Sequence, residues 1–268
     1  MVQGDYPKRL MIKNICCIGA GYVGGPTMSV IADRCPNINV NVVDVNKERI
    51  DLWNSPNSNN LPIYEPGLEE IVKRNHNKKR LIFTTDLKEA IKNSKIIFIC
   101  VGTPTKKNSN KADLKYVFQV TNQLKKYINN YKIIVTKSTV PVTTGDKIEK
   151  ILSKLKTKKL IDVVSNPEFL REGEAIRDFL YPDRVIVGSN SKKANKLMKS
   201  LYLPIIKKES RYFNTSRRAA EMIKYASNAF LATKISYINE IANLCEKVSV
   251  DIKDISCLLY TSPSPRDS

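Results

Sequence analysis

Short apolar runs alternate along this chain with segments in which apolar residues recur every three or four positions. The short runs are typical of buried strands and the periodic segments of helices, and their alternation is the rhythm of βαβ units. The sequence therefore predicts an α/β fold built on a doubly wound, mostly parallel sheet. The predicted strands are Ile15–Ile18, Val40–Val45, Leu81–Phe83, Ile96–Val101, Ile133–Val135, Asp162–Val164 and Val185–Val187. The predicted helices between them are Val23–Ala32, Asp86–Lys92, Leu114–Ile128, Thr144–Leu155 and Lys192–Tyr202.

A different pattern extends from about Ser216 to Glu246, where no proline or glycine interrupts a helical repeat. Its apolar positions are Met222, Ala226, Phe230, Ile238, Ile241 and Cys245. Because an amphipathic stripe gains its stability mainly from packing, this long helix is predicted to cover a neighbouring surface. The sequence thus divides into a tail of residues 1–12, a first domain of residues 13–214, a long central helix that opens a middle region in residues 215–255, and an atypical tail in residues 256–268.

The end of the first predicted strand carries the clearest chemical signal. The run Lys13–Gly24 is an apolar strand that ends in Gly19-x-Gly21-x-x-Gly24. Glycines at this spacing provide a tight turn, a close approach of backbone to pyrophosphate, and close packing of the following helix on the strand. Asp44 closes the second strand, where its carboxylate can accept from the ribose 2′-OH of NAD but would repel the 2′-phosphate of NADP. The sequence therefore predicts a Rossmann-like dinucleotide site that prefers NAD.

Three later strands run directly into polar or turn-forming segments. These segments are Gly102–Thr105, Lys137–Pro141 and Ser165–Phe169. In doubly wound sheets, ligands bind outside the carboxyl ends of the strands, so we expect these segments to line the same site.

The cysteines and the single histidine suggest no further chemistry. The six cysteines show no CxxC spacing and no nearby histidine, so neither a metal site nor a redox pair is predicted. Cys16, Cys17 and Cys100 lie in apolar strands and are expected to be small buried side chains in a reducing compartment. His76 lies in a polar run and is expected to be a solvated surface residue.

The formal net charge of +19 is spread over scattered lysines rather than gathered in a nucleic-acid-binding motif. We therefore expect no nucleic-acid partner, although the positive field would attract an anionic diphosphate ligand. No stretch approaches the roughly 18 consecutive apolar residues of a membrane span, and the first residues lack a secretory signal. A cytoplasmic protein without a membrane partner is expected.

Taken together, these segments resemble the N-terminal half of the UDP-glucose/GDP-mannose dehydrogenase family from about Lys13 to Asp254. The matching signatures are Ile15–Pro26, Leu61–Leu68, Val101–Thr105, Lys137–Pro141, Ser165–Leu170 and Asn228–Leu231. The first two look like the UDP-glucose branch of the family rather than the GDP-mannose branch. The resemblance implies NAD as the cofactor and UDP-glucose as the substrate. It also implies oxidation of the C6 alcohol in two steps to UDP-glucuronate, with two NAD and one water consumed.

The resemblance also implies the residues of the site. The cofactor is expected to contact Gly19, Ala20, Gly21, Tyr22, Val23, Gly24, Asp44, Arg49, Val101, Gly102, Thr103, Pro104, Thr105, Ser138, Thr139, Val140 and Glu172. The substrate is expected to contact Glu168, Phe169, Leu170, Arg171, Glu172, Lys224 and Asn228.

Four of these positions are expected to be catalytic. Glu168 would position or deprotonate a water held by Thr139, while Lys224 and Asn228, four apart on one helix face, would stabilise a developing oxyanion. Without the resemblance, the threonines equally fit turn chemistry at strand ends, and Glu168 fits an acid at a helix N-terminus.

The sequence departs from the family pattern near its end. We expect this chain to lack the family's nucleophilic cysteine loop and its UDP-binding C-terminal domain, and we expect residues 256–268 to resemble no family segment and not to be native. The sequence neighbours of Cys257, Leu258 and Leu259, provide no glycine turn or cationic partner, so Cys257 is not expected to be the nucleophile. We therefore expect this chain to bind NAD weakly without completing the oxidation, and a full-length form to be a homo-oligomer through the central helix. The alternatives are another nucleotide-sugar dehydrogenase such as GDP-mannose dehydrogenase, a non-catalytic NAD-binding module, or a basic nucleic-acid-binding protein.

Overall fold

The computed structural model describes residues 12–57, 60–107, 109–154, 161–206 and 209–259. Most of the two predicted tails, residues 1–11 and 260–268, and the predicted end of one helix at Leu155 lie outside the described residues. The strands are β1 (Asn14–Ile18), β2 (Asn39–Val43), β3 (Leu81–Thr84), β4 (Ile96–Ile99), β5 (Lys132–Thr136), β6 (Ile161–Ser165), β7 (Val185–Ser189) and β8 (Tyr212–Thr215). The helices are α1 (Gly24–Arg34), α2 (Lys47–Trp53), α3 (Leu68–Asn77), α4 (Leu87–Asn93), α5 (Lys115–Tyr127), α6 (Thr144–Leu152), α7 (Ala175–Leu180), α8 (Lys192–Ile206), α9 (Arg217–Lys247) and α10 (Ile252–Leu259).

The strands form one sheet in the order β3-β2-β1-β4-β5-β6-β7-β8. All neighbouring pairs are parallel except β6 and β7, which are antiparallel. The prediction of a doubly wound, mostly parallel sheet followed by a long helix is therefore confirmed. The chain reverses its direction of winding between β1 and β4, and this is the place where such sheets open a crevice for ligands at the carboxyl ends of the strands.

Helices cover both faces of the sheet, which explains why its strands are almost continuously apolar. All four residues of β4 and all five of β5 are buried. Cys16 and Cys17 point to opposite faces because successive side chains alternate along a strand. Cys17 packs in the cluster that contains Met28 and Trp53, and Cys16 in the cluster on the other face. The prediction of buried cysteines in these strands is confirmed.

Two predicted strands are shorter in the structure than in the sequence pattern. β2 ends at Val43, and Val45 is 92% exposed; β4 ends at Ile99 rather than Val101. In both cases apolar residues continue beyond the paired part of the strand into a loop. Hydrophobicity alone therefore overestimates the strand length. The sequence pattern also missed the short helices α2, α3 and α7, whose few apolar positions are spread over less than three turns. It missed β8 as well, whose four residues are exposed or only half-buried.

The expectation that His76 is a solvated surface residue is wrong. His76 is half-buried in α3, with its ring edge-on to Phe83 at a centroid distance of 5.6 Å. Burial lowers its pKa from the usual 6.5. The error arose because the polar run around His76 forms an amphipathic helix that turns one of its faces toward the sheet.

The chain divides into two compact units at residues 1–224 and 225–268. In the first unit, the N-terminal turns of α9 pack closely over β7, because a Cβ added at Gly188 would lie 2.6 Å from the Cβ of Ala220. In the second unit, Phe230 and Leu231 of α9 are exposed, whereas Cys245 is buried. Within the described ranges, no helix combines the length and apolar character needed to cross a membrane.

Candidate functional site

The loop between β1 and α1 is shaped by three glycines with different surroundings. Gly19 has φ +111°, and a Cβ there would lie 2.5 Å from the carbonyl oxygen of Cys100. A Cβ at Gly24 would lie 1.9 Å from the carbonyl oxygen of Gly19, so the start of α1 packs directly against the strand end. Gly21, in contrast, has no heavy atom within 4 Å of the position of an added Cβ. The loop therefore leaves open space beside the backbone of Gly21, next to the N–H groups of a helix N-terminus, which is the arrangement that binds phosphate.

The carboxylate of Asp44 fixes this loop to the end of β2. Its Oδ2 accepts from the N–H of Ala20 at 2.8 Å and from Nη1 of Arg49 at 3.3 Å, and its Oδ1 accepts from the N–H of Asn46 at 2.9 Å. A carboxylate has about four acceptor positions, so one remains for a ribose hydroxyl. The structure thus brings Asp44, Arg49 and the glycine loop together.

Trp53, to which the sequence assigned no role, supports the glycine loop through a hydrogen bond to Ala20. Its Nε1 donates to the carbonyl oxygen of Ala20 at 3.0 Å, and its ring stacks on Phe83 at 4.5 Å. A Cβ added at Gly25 would lie 2.2 Å from the indole ring. As the only tryptophan of the chain, Trp53 provides a fluorescent reporter next to the site. Its position depends on contacts across more than thirty residues, which a sequence pattern does not reveal.

Hydroxyl groups connect the loops that follow β4 and β5. Thr103 Oγ1 donates to the carbonyl oxygen of Thr139 at 2.9 Å, and Ser138 Oγ donates to that of Val101 at 2.6 Å. These bonds support the turn chemistry that the sequence left open for the threonines, although each hydroxyl oxygen keeps acceptor capacity for a ligand. The neighbouring predicted contacts differ in burial: Val140 is buried, whereas Gly102, Pro104 and Thr105 are exposed.

The structure brings Glu168 and Lys224 together from separate elements. Lys224 Nζ lies 3.1 Å from Glu168 Oε1, and the two side chains are only 9% and 14% exposed. The other carboxylate oxygen of Glu168 accepts from the N–H of Leu170 at 2.6 Å. The ammonium also lies 5.1 Å from the ring centroid of Phe169. Asn228 is exposed in the second unit, so its predicted convergence with Lys224 stays a prediction.

A buried carboxylate one turn before Lys224 also escaped the sequence analysis. Glu221 accepts from the N–H groups of Thr143 and Gly145, both at 2.7 Å, and from Ser165 Oγ at 3.2 Å. These donors lie at the start of α6 and at the end of β6, so Glu221 fixes the first turns of α9 to both elements. Burial raises the pKa of Glu221, while the three hydrogen bonds act in the opposite direction.

The loop after β6 holds the remaining predicted residues. Arg171 binds Asp178 through its guanidinium, with Nη2 to Oδ1 at 2.7 Å and Nε to Oδ2 at 3.0 Å. Glu172 is exposed at the middle of this loop, next to Gly173, whose N–H lies 3.2 Å from the hydroxyl of Tyr22. The loop therefore reaches the glycine loop although the two are about 150 residues apart in the sequence.

These features define a dinucleotide-binding domain of the kind found in dehydrogenases: an open backbone cradle at a helix N-terminus and an acid at the end of the second strand. The NAD-binding domain of the UDP-glucose/GDP-mannose dehydrogenase family matches residues 13–206, and the central domain of the same family matches residues 218–266. The second match includes residues 256–266, so the expectation that the tail resembles no family segment is wrong for these residues. The chain belongs to the UDP-glucose/GDP-mannose dehydrogenase family, and its cofactor is NAD.

Individual relatives agree with this assignment. UDP-glucose 6-dehydrogenase of Mus musculus is 45% identical in an alignment of 254 positions, which covers 91% of this chain and 50% of the mouse protein. The solved structure of GDP-mannose dehydrogenase from Pseudomonas aeruginosa is 32% identical, with a TM-score of 0.85. The match covers 92% of this chain and 56% of the Pseudomonas chain. The solved structure of a UDP-glucose dehydrogenase from Pyrobaculum islandicum is also 32% identical, with a TM-score of 0.83. The match covers 94% of this chain and 57% of the archaeal chain. The chain spans about half the length of the curated relatives it matches.

Proposed function

We propose that this chain supplies the NAD-binding half of a UDP-glucose 6-dehydrogenase, which oxidises the C6 alcohol of UDP-glucose in two steps to UDP-glucuronate. The observation that carries the proposal is the largely buried pair of Lys224 and Glu168, in the same unit as a glycine loop shaped for a dinucleotide. The 45% identity to UDP-glucose 6-dehydrogenases favours this substrate over GDP-mannose. The two solved relatives, at equal identity, do not separate the two sugars.

Binding of the cofactor is assigned to backbone and carboxylate groups. The peptide at Gly21 and the N-terminus of α1 would hold the pyrophosphate, and Asp44 the ribose of the adenosine half. When bound, NAD supplies the hydride acceptor of the oxidation. The chain's own residues contribute binding, orientation and proton transfer.

Lys224 and Glu168 are proposed to act on the substrate side. An ammonium has three N–H donors, and the contact with Glu168 uses one of them, so two remain to stabilise an oxyanion at the reacting carbon. Glu168 keeps free acceptor positions beside its bonds to Lys224 and Leu170, and these can take a proton from a water held with Thr139.

Cofactor selectivity tests the first part of the proposal. Calorimetric titration of the purified chain should show NAD binding, with NADP at least about tenfold weaker because its 2′-phosphate would face the Asp44 carboxylate. Asp44→Asn should reduce this preference. Equal affinity for NAD and NADP, or no heat with either on a folded sample, would refute the assignment.

Substrate specificity needs a second measurement. NADH formation by the full-length product of the same gene should be supported by UDP-glucose and not by GDP-mannose, and Lys224→Met should abolish it. Faster turnover of GDP-mannose would overturn the substrate proposal while leaving the NAD site intact.

We further propose that the full-length form is a cytoplasmic homo-oligomer that pairs through α9 and binds no nucleic acid. The exposed apolar side chains of Phe230 and Leu231 support the pairing. Sedimentation of the full-length protein would test it, and a monomer would contradict it. Retention of the protein on DNA or RNA would contradict the last part of the proposal.

A further inference from the structure

Glu65 is a buried carboxylate that hydrogen-bonds Tyr22 of the glycine loop and two backbone N–H groups more than a hundred residues later in the chain. It is 3% exposed, and its Oε1 accepts from the N–H of Gly173 at 2.8 Å while its Oε2 accepts from the N–H of Ala175 at 2.8 Å. Ala175 is the first residue of α7, so the carboxylate occupies the N-terminus of that helix. Glu65 therefore fixes the loop that leads from β6 into α7.

The backbone around Glu65 forms a rigid turn. The N–H of Leu68 donates to the carbonyl oxygen of Glu65 at 3.1 Å, and Gly67 between them has φ +80° and ψ 0°. A proline followed by a glycine with positive φ is the sequence signature of a type II turn, which Pro66 and Gly67 fulfil. The sequence therefore encodes a fixed support for the Glu65 side chain directly before α3.

The loop that Glu65 holds is in contact with the glycine loop. The N–H of Gly173 is shared between Glu65 Oε1 and the hydroxyl of Tyr22, which lies 3.2 Å away. Glu172, which the sequence analysis assigned to the cofactor and substrate sites, is the residue immediately before Gly173. One carboxylate thus ties together the turn before α3, the loop after β6 and the glycine loop.

The half of the sheet to which this loop is attached indicates which part of NAD it contacts. In a doubly wound sheet each half of the strands binds one mononucleotide, and Asp44 marks the half formed by β1 to β3 as the adenosine side. The loop of residues 171–174 follows β6 and so belongs to the other half, on the nicotinamide side.

We propose that Glu65 is a positioning residue that holds the loop of residues 171–174 over the nicotinamide half of the NAD site. This inference rests on the proposed binding of NAD by this domain. Its consequence is selective: loss of Glu65 weakens the binding of the whole dinucleotide but not of its adenosine diphosphate part.

Glu65→Gln keeps the size of the side chain but removes one of its two acceptors. The amide group would then direct an N–H toward the N–H of Gly173 or Ala175, so one of the two bonds is lost. Glu70→Gln is the matched control, because Glu70 lies five residues later in α3 and is exposed.

The test is calorimetric titration of each purified variant with NAD and, separately, with ADP. For Glu65→Gln we expect the Kd for NAD to rise about tenfold and the Kd for ADP to change less than about twofold. Glu70→Gln should match the wild type with both ligands. An unchanged Kd for NAD, or equal losses for NAD and ADP, would overturn the inference. A wild-type chain that binds ADP but not NAD would overturn it as well, and one that binds neither would overturn the proposed function itself.

Gly173→Ala provides a second, independent variant if Glu65→Gln does not fold. Gly173 has φ +84°, and an added Cβ there meets no atom within 4 Å, so the substitution strains only the loop backbone. The same selective loss of NAD affinity is expected. Wild-type affinity for NAD in folded Gly173→Ala would count against the role of this loop and therefore against Glu65.

Discussion

Gly21 and Gly24 lie in the same loop but have different surroundings, so an alanine at each position separates folding from ligand binding. At Gly24, the added methyl would lie 1.9 Å from the carbonyl oxygen of Gly19 and 3.1 Å from Cys17 Sγ. Backbone does not yield as a flexible side chain does, and overpacking of this kind costs about 3 kcal/mol or more. In a domain of this size each kcal/mol lowers Tm by about 2–4 °C, so Gly24→Ala should melt about 6–12 °C below the wild type.

At Gly21, the methyl meets only open space, so the stability of Gly21→Ala should be unchanged or up to about 1 kcal/mol higher, because alanine restricts the unfolded chain. Its affinity for NAD should nevertheless fall at least about tenfold, since the methyl occupies the space that the pyrophosphate needs. Melting followed by Trp53 fluorescence and calorimetric titration with NAD measure the two effects. Wild-type NAD affinity in Gly21→Ala, or wild-type stability in Gly24→Ala, would refute the assigned roles.

Three further predictions concern single side chains and their charge states. A double-mutant cycle of Lys224→Met and Glu168→Gln, measured by urea unfolding, should give a coupling energy of about 1–3 kcal/mol, because both groups are largely buried. Purely additive losses of stability would mean that the ion pair does not form in solution. The single histidine should titrate by NMR with a midpoint below 6.5, because burial lowers the pKa of His76. Its contribution to stability is then present above about pH 6.5 and is lost as the pH falls. A midpoint at or above 6.5 would contradict the structure. Burial also lowers the pKa of Lys132 from 10.5 to about 8. Between about pH 8 and pH 10.5 the unfolded chain therefore binds this proton more tightly than the folded chain, so stability should rise with pH over this range. Lys132→Met should flatten the rise, and parallel pH profiles for the two proteins would argue against it.

Features that depend on local sequence were predicted well. The strands β1 to β7 were visible because most of their side chains are buried, which makes each of them a largely apolar run. β8 was not predicted, because its side chains are exposed or only half-buried. The glycines of the β1–α1 loop and Asp44 were visible because one βαβ unit encodes them within about thirty residues. Strand ends and short helices were less well predicted, since the apolar run at Val45 outlasts the ladder of hydrogen bonds.

Features that depend on distant contacts were not predicted. The sequence assigned no role to Glu65, Glu221 or Trp53, and each supports the site only through hydrogen-bond partners from 33 to 110 residues away. His76 was misjudged for a different reason, because α3 turns its ring toward Phe83 of β3, only seven residues later in the chain. A side chain's immediate neighbours in sequence do not report which other segment will bury it.

The sequence by itself determined the α/β fold, the glycine turn and the acid that completes it, because hydrophobic periodicity and backbone conformation act over one or two elements. The tertiary structure alone decided which carboxylates support which loops and that Lys224 lies on Glu168, because the sheet order brings together strand ends that are far apart along the chain. A buried charge needs its counter-charge and its hydrogen-bond donors close by, and only the folded chain supplies them.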